Sequence, residues 1–216
     1  MRQGTYLLDK TGIASYTLDY PILRARADGG IIHTETLTMT DLHPDLARIL
    51  IPAEAIQTRV QELAGQISRE YAGIERLYLI GILKGAFIFL ADLSRHLQIP
   101  HIVDFMALSS YGKTTTSGAV RILMDLREPI EGQHVLVIED IVDSGQTLEY
   151  LYRVLQGRKP ASLHNCVLVR KTRDNLNFPI DFLGFEIPDV WVVGYGLDFA
   201  DRHRTLPFIA ELKRDQ

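Results

Sequence analysis

The sequence predicts an α/β fold with a central, mainly parallel twisted sheet flanked by helices, and three observations carry that expectation. Apolar runs of strand length alternate with segments of helical period, as in Leu77 to Ile82, Phe87 to Leu97 and Ile102 to Leu108, which favours parallel strands joined by helices. The run Val135-Leu136-Val137-Ile138 leads through acidic residues into a small-residue turn, Ser144-Gly145-Gln146-Thr147, beyond which Leu148, Leu151, Tyr152 and Leu155 recur at helical spacing. Finally, 216 residues of which 46% are hydrophobic suffice for one domain with a filled core.

Taken in order, the first forty residues are the least patterned, although Ile22 to Ala27 and Ile31 to Met39 flank Asp28-Gly29-Gly30, a combination that suits a hairpin turn. After Pro52, an imide suited to a first helical turn, Ile56, Val60, Leu63, Ala64, Ile67 and Tyr71 mark an amphipathic helix from about 53 to 72. A buried strand at Leu77 to Ile82, a helix at Phe87 to Leu97 and a strand at Ile102 to Leu108 follow. Further strands are expected at Val120 to Met124, Val135 to Ile138, Cys166 to Val169, Asp181 to Gly184 and Val190 to Val193, with a helix from Thr147 to about Gln156.

Composition argues against several classes of function. A net charge of −4 without a dense Lys/Arg run argues against a nucleic-acid surface. The apolar runs are too short to span a bilayer, and the first residues contain no signal-peptide core, so a soluble, cytoplasmic protein with no membrane partner is expected. The lone cysteine, Cys166, lies in an apolar run and reads as a core residue rather than a nucleophile. Nucleotide-binding and hydrolase signatures such as Gly-x-x-x-x-Gly-Lys-Ser and Gly-x-Ser-x-Gly are absent.

The chemistry concentrates between Val135 and Thr147. Unpaired backbone N–H groups at the start of the helix suit an anion, whereas Glu139, Asp140 and Asp143 would repel one unless their charge were offset. A sugar diol can donate to ionised carboxylates, and Mg²⁺ can bridge carboxylates to phosphate oxygens; a phosphorylated sugar meets both demands. The plainer alternative, that Asp143 or Ser144 merely caps the helix, leaves three adjoining acids unexplained.

This segment resembles the ribose-phosphate binding motif of the type I phosphoribosyltransferases, and the wider chain resembles the hypoxanthine-guanine branch of that family. The likeness runs from about Leu42 to the C-terminus through Leu83-Lys84-Gly85, Ser110-Tyr111, the stretch Asp181 to Asp189 and Val192-Val193-Gly194-Tyr195-Gly196-Leu197-Asp198. It implies a phosphoribosyltransferase domain over 41–216 and an N-terminal extension over 1–40 that joins the C-terminal segment in a small hood. It also implies that Asp143, Ser144, Gly145, Gln146 and Thr147 hold the 5′-phosphate of phosphoribosyl pyrophosphate while Glu139 and Asp140 take the ribose hydroxyls. Lys84, Gly85, Ser110, Tyr111 and Arg204 correspond to pyrophosphate-binding positions, and in related enzymes the peptide bond preceding the glycine can adopt the cis form.

The polar run from Ser109 to Gly118 reads equally as a mobile lid or a surface loop, and the resemblance implies a lid over the reaction centre. Mg²⁺ is the implied cofactor, with Asp198, Glu139 and Asp140 as its ligands. Purine recognition falls to Trp191, Val192, Asp198 and a basic side chain at the purine O6. Two departures from the family pattern matter here. Trp191 replaces the usual phenylalanine or tyrosine, which preserves stacking, though an indole can also fill a core. The family's Lys-Arg pair appears as Arg170-Lys171, and strand alternation then gives Arg170 the O6 position and holds Lys171 in reserve, unless a bulge exchanges them.

The implied reaction transfers 5-phosphoribosyl to N9 of hypoxanthine or guanine, giving IMP or GMP and pyrophosphate. Asp143, Lys84 and Arg204 would be the catalytic groups, and relatives form homodimers or homotetramers. The same chemistry on xanthine, uracil or orotate, or a catalytically weak nucleotide-binding regulator, are the alternatives.

Overall fold

The structure, a computed structural model, describes residues 7–8, 14–15, 24–25, 31–32, 43–110, 120–173 and 178–213. It divides into two compact units, Met1–Ala47 and Arg48–Gln216. In the first, β1 (Leu7–Leu8) pairs antiparallel with β2 (Ala14–Ser15), and β3 (Arg24–Ala25) pairs antiparallel with β4 (Ile31–Ile32). The register Arg24↔Ile32 and Ala25↔Ile31 is that of the expected hairpin, whose turn residues lie outside the described ones.

In the second unit, the elements after β5 (Leu46–Ile51) are α1 (Ala53–Glu70), β6 (Leu77–Leu83), α2 (Phe87–His96), β7 (His101–Ser110), β8 (Val120–Met124), β9 (His134–Val142), α3 (Gln146–Gln156), β10 (Ser162–Lys171), β11 (Phe182–Ile187), β12 (Val192–Val193) and β13 (Ile209–Leu212). The main sheet has the order β11-β10-β9-β6-β7-β8. Its strands are parallel except at the β7/β8 edge. A smaller sheet, β12-β13-β5, accounts for Val192 and Val193, which therefore do not extend the parallel sheet. Among the described residues, no helix is long and apolar enough to cross a membrane.

The near-continuous apolar character of the central strands follows from burial on both faces. Leu77, Leu79, Leu136, Ile138, Cys166 and Leu168 pack with α1 and α2 through Ile56, Leu63 and Phe89. Their sequence neighbours Tyr78, Ile80, Val135, Val137 and Val167 pack with α3 through Leu148, Leu151 and Leu155. Cys166 is fully buried, and burial pushes its thiol well above the ordinary range, so it serves as core.

β9 continues past the expected Ile138 because β10 continues alongside it, with Val167 opposite Glu139 and Arg170 opposite Val142. Glu139 and Asp140 are thus strand residues at the carboxyl edge of the sheet, the edge where open α/β sheets bind ligands.

Candidate active site

The turn into α3 has no side-chain cap. Gly145, at φ 77°, is the N-cap residue, so neither Asp143 nor Ser144 is occupied in capping. The N–H groups of the first turn have no intrahelical acceptor by helix geometry, which leaves a cradle for an anion.

Glu139 and Asp140 are buried, and Glu139 Oε2 has no hydrogen-bond partner among the described residues. Burial, then the charge of Asp140, raises the Glu139 carboxyl well above its usual range. Burial also raises Asp140, against hydrogen bonds from Glu139 and backbone N–H groups and the charge of Arg204. An orphaned buried oxygen beside a second carboxylate fits a diol or a cation that supplies the missing partner.

The ligand oxygens of Glu139, Asp140 and Asp198 are not gathered within 4.8 Å of one another, so the three do not form a single coordination shell. Asp198 instead pairs with Arg204 at 2.7 Å and accepts the Asp201 N–H at 2.7 Å. The donor set suits Mg²⁺ as separate carboxylate contacts to a largely hydrated ion.

Ligand-free Glu139 carries a burial penalty that Glu139→Gln should relieve. With divalent cations chelated, the variant is expected to melt above wild type at alkaline pH by about 2–4 °C, for about 1 kcal/mol in a chain of this size. A carboxyl raised in the fold contributes stability below its unfolded pKa and loses it as pH rises through the folded value. The gap should therefore close on acidification, and thermal melts across pH check this; a gap independent of pH would contradict it.

Lys84 and Gly85 follow β6. The cis peptide bond joins Leu83 to Lys84, one bond earlier than the family resemblance suggests. A Cβ on Gly85 would overlap the Asp140 carboxylate, and one on Gly196 would overlap the Gly85 carbonyl. Three segments thereby meet: the backbone of the β6–α2 turn touches the Asp140 side chain at the end of β9 on one side and the backbone of the Gly194–Asp198 turn on the other. Lys84 Nζ reaches Asp201 Oδ1 at 2.9 Å, and Arg204 Nη2 reaches the same oxygen at 3.0 Å while its Nη1 donates to Gly196 O at 2.8 Å. The hydrogen bond from Lys84 holds the Asp201 carboxyl below its usual range.

At the end of β10 the two basic residues take different partners. Arg170 turns to an ion pair with Glu186 of β11, whereas the Lys171 side chain is only 7% exposed, with Nζ 3.4 Å from both Asp143 Oδ2 and Asp189 Oδ1. The register of β10 runs unbroken through Arg170 with β9 and through Lys171 with β11, so the two side chains leave opposite faces of the sheet. The Lys171 ammonium lies 5.5 Å from the centroid of the Trp191 ring. Trp191 is 65% exposed, so it is not a core filler, and Val192 beside it is buried.

Three charged residues that the sequence does not single out belong to this region: Arg173, Asp189 and Asp201. Arg173 pairs with Asp143 and binds Asp189 through two nitrogens, at 2.8 and 2.7 Å. That hydrogen bonding lowers the Asp189 carboxyl. The available signal was complementarity, with Lys171 and Arg173 leaving one strand and Asp189 following the next. Ser110 closes β7, its Cα paired with Val120, while Tyr111 and the rest of the expected lid to Gly118 lie outside the described residues.

The fold and this carboxyl-edge cluster define a phosphoribosyl transferase domain, whose family model matches residues 50–200. Within that class, the chain belongs to the hypoxanthine-guanine phosphoribosyltransferase family. It is 47% identical over 172 residues to the hypoxanthine-guanine phosphoribosyltransferase of Dictyostelium discoideum, covering 77% of this chain and 96% of the relative. It is 46% identical over 168 residues to the hypoxanthine phosphoribosyltransferase of Escherichia coli strain K12, covering 76% and 94%. Among solved structures, it is similar to a hypoxanthine-guanine phosphoribosyltransferase of Bacillus anthracis with HEPES in the active site, at TM-score 0.73 and 41% identity, covering 79% and 99%. A Trypanosoma cruzi hypoxanthine phosphoribosyltransferase variant complexed with the product IMP matches at TM-score 0.75 and 41% identity, covering 80% and 94%.

Proposed function

We propose that this chain is a purine-salvage enzyme that transfers 5-phosphoribosyl from phosphoribosyl pyrophosphate to N9 of hypoxanthine or guanine, releasing IMP or GMP and pyrophosphate. The observation that carries the reading is the buried Lys171, its ammonium held between Asp143, Asp189 and the Trp191 ring at the mouth of the phosphate turn. A cation so fixed donates to a carbonyl in the plane of a stacked base, which a 6-oxopurine supplies at O6.

In this reading the 5′-phosphate sits on the backbone of Asp143 to Thr147, and the ribose hydroxyls bond to Glu139 and Asp140. Trp191 stacks on the purine and Val192 lines its edge. Lys84 and Arg204 take the charge that builds on departing pyrophosphate, with the Gly85 backbone and the Ser110-Tyr111 loop completing that subsite. Asp143 receives the purine proton near N7. Mg²⁺ bound by Asp198, Glu139 and Asp140 would neutralise phosphate oxygens. The proposed setting is the cytoplasm and the proposed assembly a homodimer or homotetramer.

The test is incubation with Mg²⁺, phosphoribosyl pyrophosphate and hypoxanthine, guanine or xanthine, following nucleotide formation; absence of product from the first two refutes the assignment. Replacement of the two basic residues separates their roles. Lys171→Gln is expected to raise KM for hypoxanthine about 10- to 100-fold, the equivalent of about 1.5–3 kcal/mol for a charged hydrogen bond. Arg170→Gln should change KM less than about twofold, as loss of an exposed ion pair implies. Steady-state kinetics on both variants decides; comparable losses would return Arg170 to the base site.

A further inference from the structure

We propose that Asp201 is a resident occupant of the pyrophosphate subsite, a carboxylate that holds the pyrophosphate-binding cations in the ligand-free enzyme and sets how tightly pyrophosphate binds. The inference rests on the phosphoribosyl-transfer reading, which assigns Lys84 and Arg204 to that product.

A single oxygen, Asp201 Oδ1, accepts from both Lys84 Nζ at 2.9 Å and Arg204 Nη2 at 3.0 Å. Lys84 is 117 residues away in sequence, so the two cations arrive from separate loops and converge on one anionic oxygen. A phosphate oxygen would make the same demand of them. The carboxylate is presented deliberately: Ala200 and Asp201 adopt φ 52° and 60°, and the Asp201 N–H donates to Asp198 Oδ2 at 2.7 Å. Phe199 and Arg202 exchange backbone hydrogen bonds at 3.2 and 3.1 Å around the turn.

The contact is built to be given up. The Lys84 and Asp201 side chains are each 68% exposed, and ion pairs this solvated are weak and exchangeable. Arg204 keeps Asp198 and the Gly196 carbonyl when Asp201 withdraws, so displacement leaves its loop anchored. An arriving pyrophosphate must compete with this carboxylate and then endure its repulsion, while re-formation of the bridge favours product release. A nucleoside monophosphate, which lacks the pyrophosphate group, is indifferent to it.

Calorimetric titration of pyrophosphate with Mg²⁺ into wild type, Asp201→Asn, Asp201→Glu and Lys84→Ala provides the test, with IMP titrated in parallel. Asparagine is among the non-glycine residues best tolerated at positive φ, and thermal melts verify that each variant is folded. Asp201→Asn should bind pyrophosphate about fivefold more tightly, the scale of one exposed charge pair. The gain should shrink at high ionic strength. Asp201→Glu should match wild type, and IMP affinity should hold within about twofold of wild type in both Asp201 variants. Unchanged or weaker pyrophosphate binding by Asp201→Asn, with Lys84→Ala still weakening it, overturns this inference alone. Pyrophosphate binding that ignores Lys84→Ala overturns the transferase assignment of that lysine and the inference with it.

Discussion

Asp143→Asn is expected to lower kcat by about 10²- to 10⁴-fold, the usual worth of a positioned acid or base, while KM for phosphoribosyl pyrophosphate changes by no more than a few fold. The split follows from what the side chain touches. Its carboxylate faces Lys171 at 3.4 Å and Arg173, and both cations also hold Asp189, so an amide of the same shape leaves them with a carboxylate partner. The fold and the basic cluster therefore survive the exchange. The phosphate turn depends on backbone, with Gly145 as the N-cap residue and the Glu149 N–H donating to the Gly145 carbonyl at 2.9 Å, so donor binding survives as well. What disappears, on the proposed reading, is the acceptor for the purine proton. Steady-state kinetics with donor and base varied separately checks this, and equal losses in kcat and in donor affinity would reassign Asp143 to phosphate binding.

The parts of this site legible in the sequence are those written as contiguous chain. Glu139 to Thr147 combines acids, a glycine and the onset of helical period in nine residues, and the structure joins β9 to α3 there. Lys84-Gly85 was legible for the same reason, as a junction between an apolar run and a helix. The strands that bury both faces were legible as runs and illegible as faces: Cys166 to Val169 is apolar at every position, so nothing in it reveals which neighbour points into the site. Hence the apolar run does not tell which of Arg170 and Lys171 faces Asp143 and Trp191. The short strands β5 and β13 escaped because a few residues paired across an antiparallel edge leave little periodicity to detect. Asp201 and Arg173 escaped for a different reason. Each looks like ordinary surface charge until a residue far away in sequence, or on the adjoining strand end, arrives opposite it.

Gly85→Ala is expected to damage both stability and turnover, because the added methyl has nowhere to go. Its Cβ would occupy the position of the Asp140 carboxylate, which is itself buried at the end of β9. Rotating Asp140 away pushes a buried acid off its backbone hydrogen bonds, and moving the Gly85 backbone instead drives its carbonyl into Gly196, whose φ of 104° leaves no side chain to yield. Overpacking of this kind costs about 1–3 kcal/mol, or roughly 2–12 °C in Tm for a chain of this length. The kinetic loss should be larger than the stability loss suggests. Displacement of either loop by about 1 Å shifts Lys84 and Asp140 together, and misplacement on that scale can cost about 10²-fold, here in kcat/KM for the phosphoribosyl donor. Calorimetric melts and donor-dependent kinetics measure the two effects independently. A Gly85→Ala enzyme with wild-type kcat/KM for the donor would mean that the β6–α2 turn and the buried acid are not in contact during catalysis, and that the pyrophosphate and ribose subsites are built independently of each other.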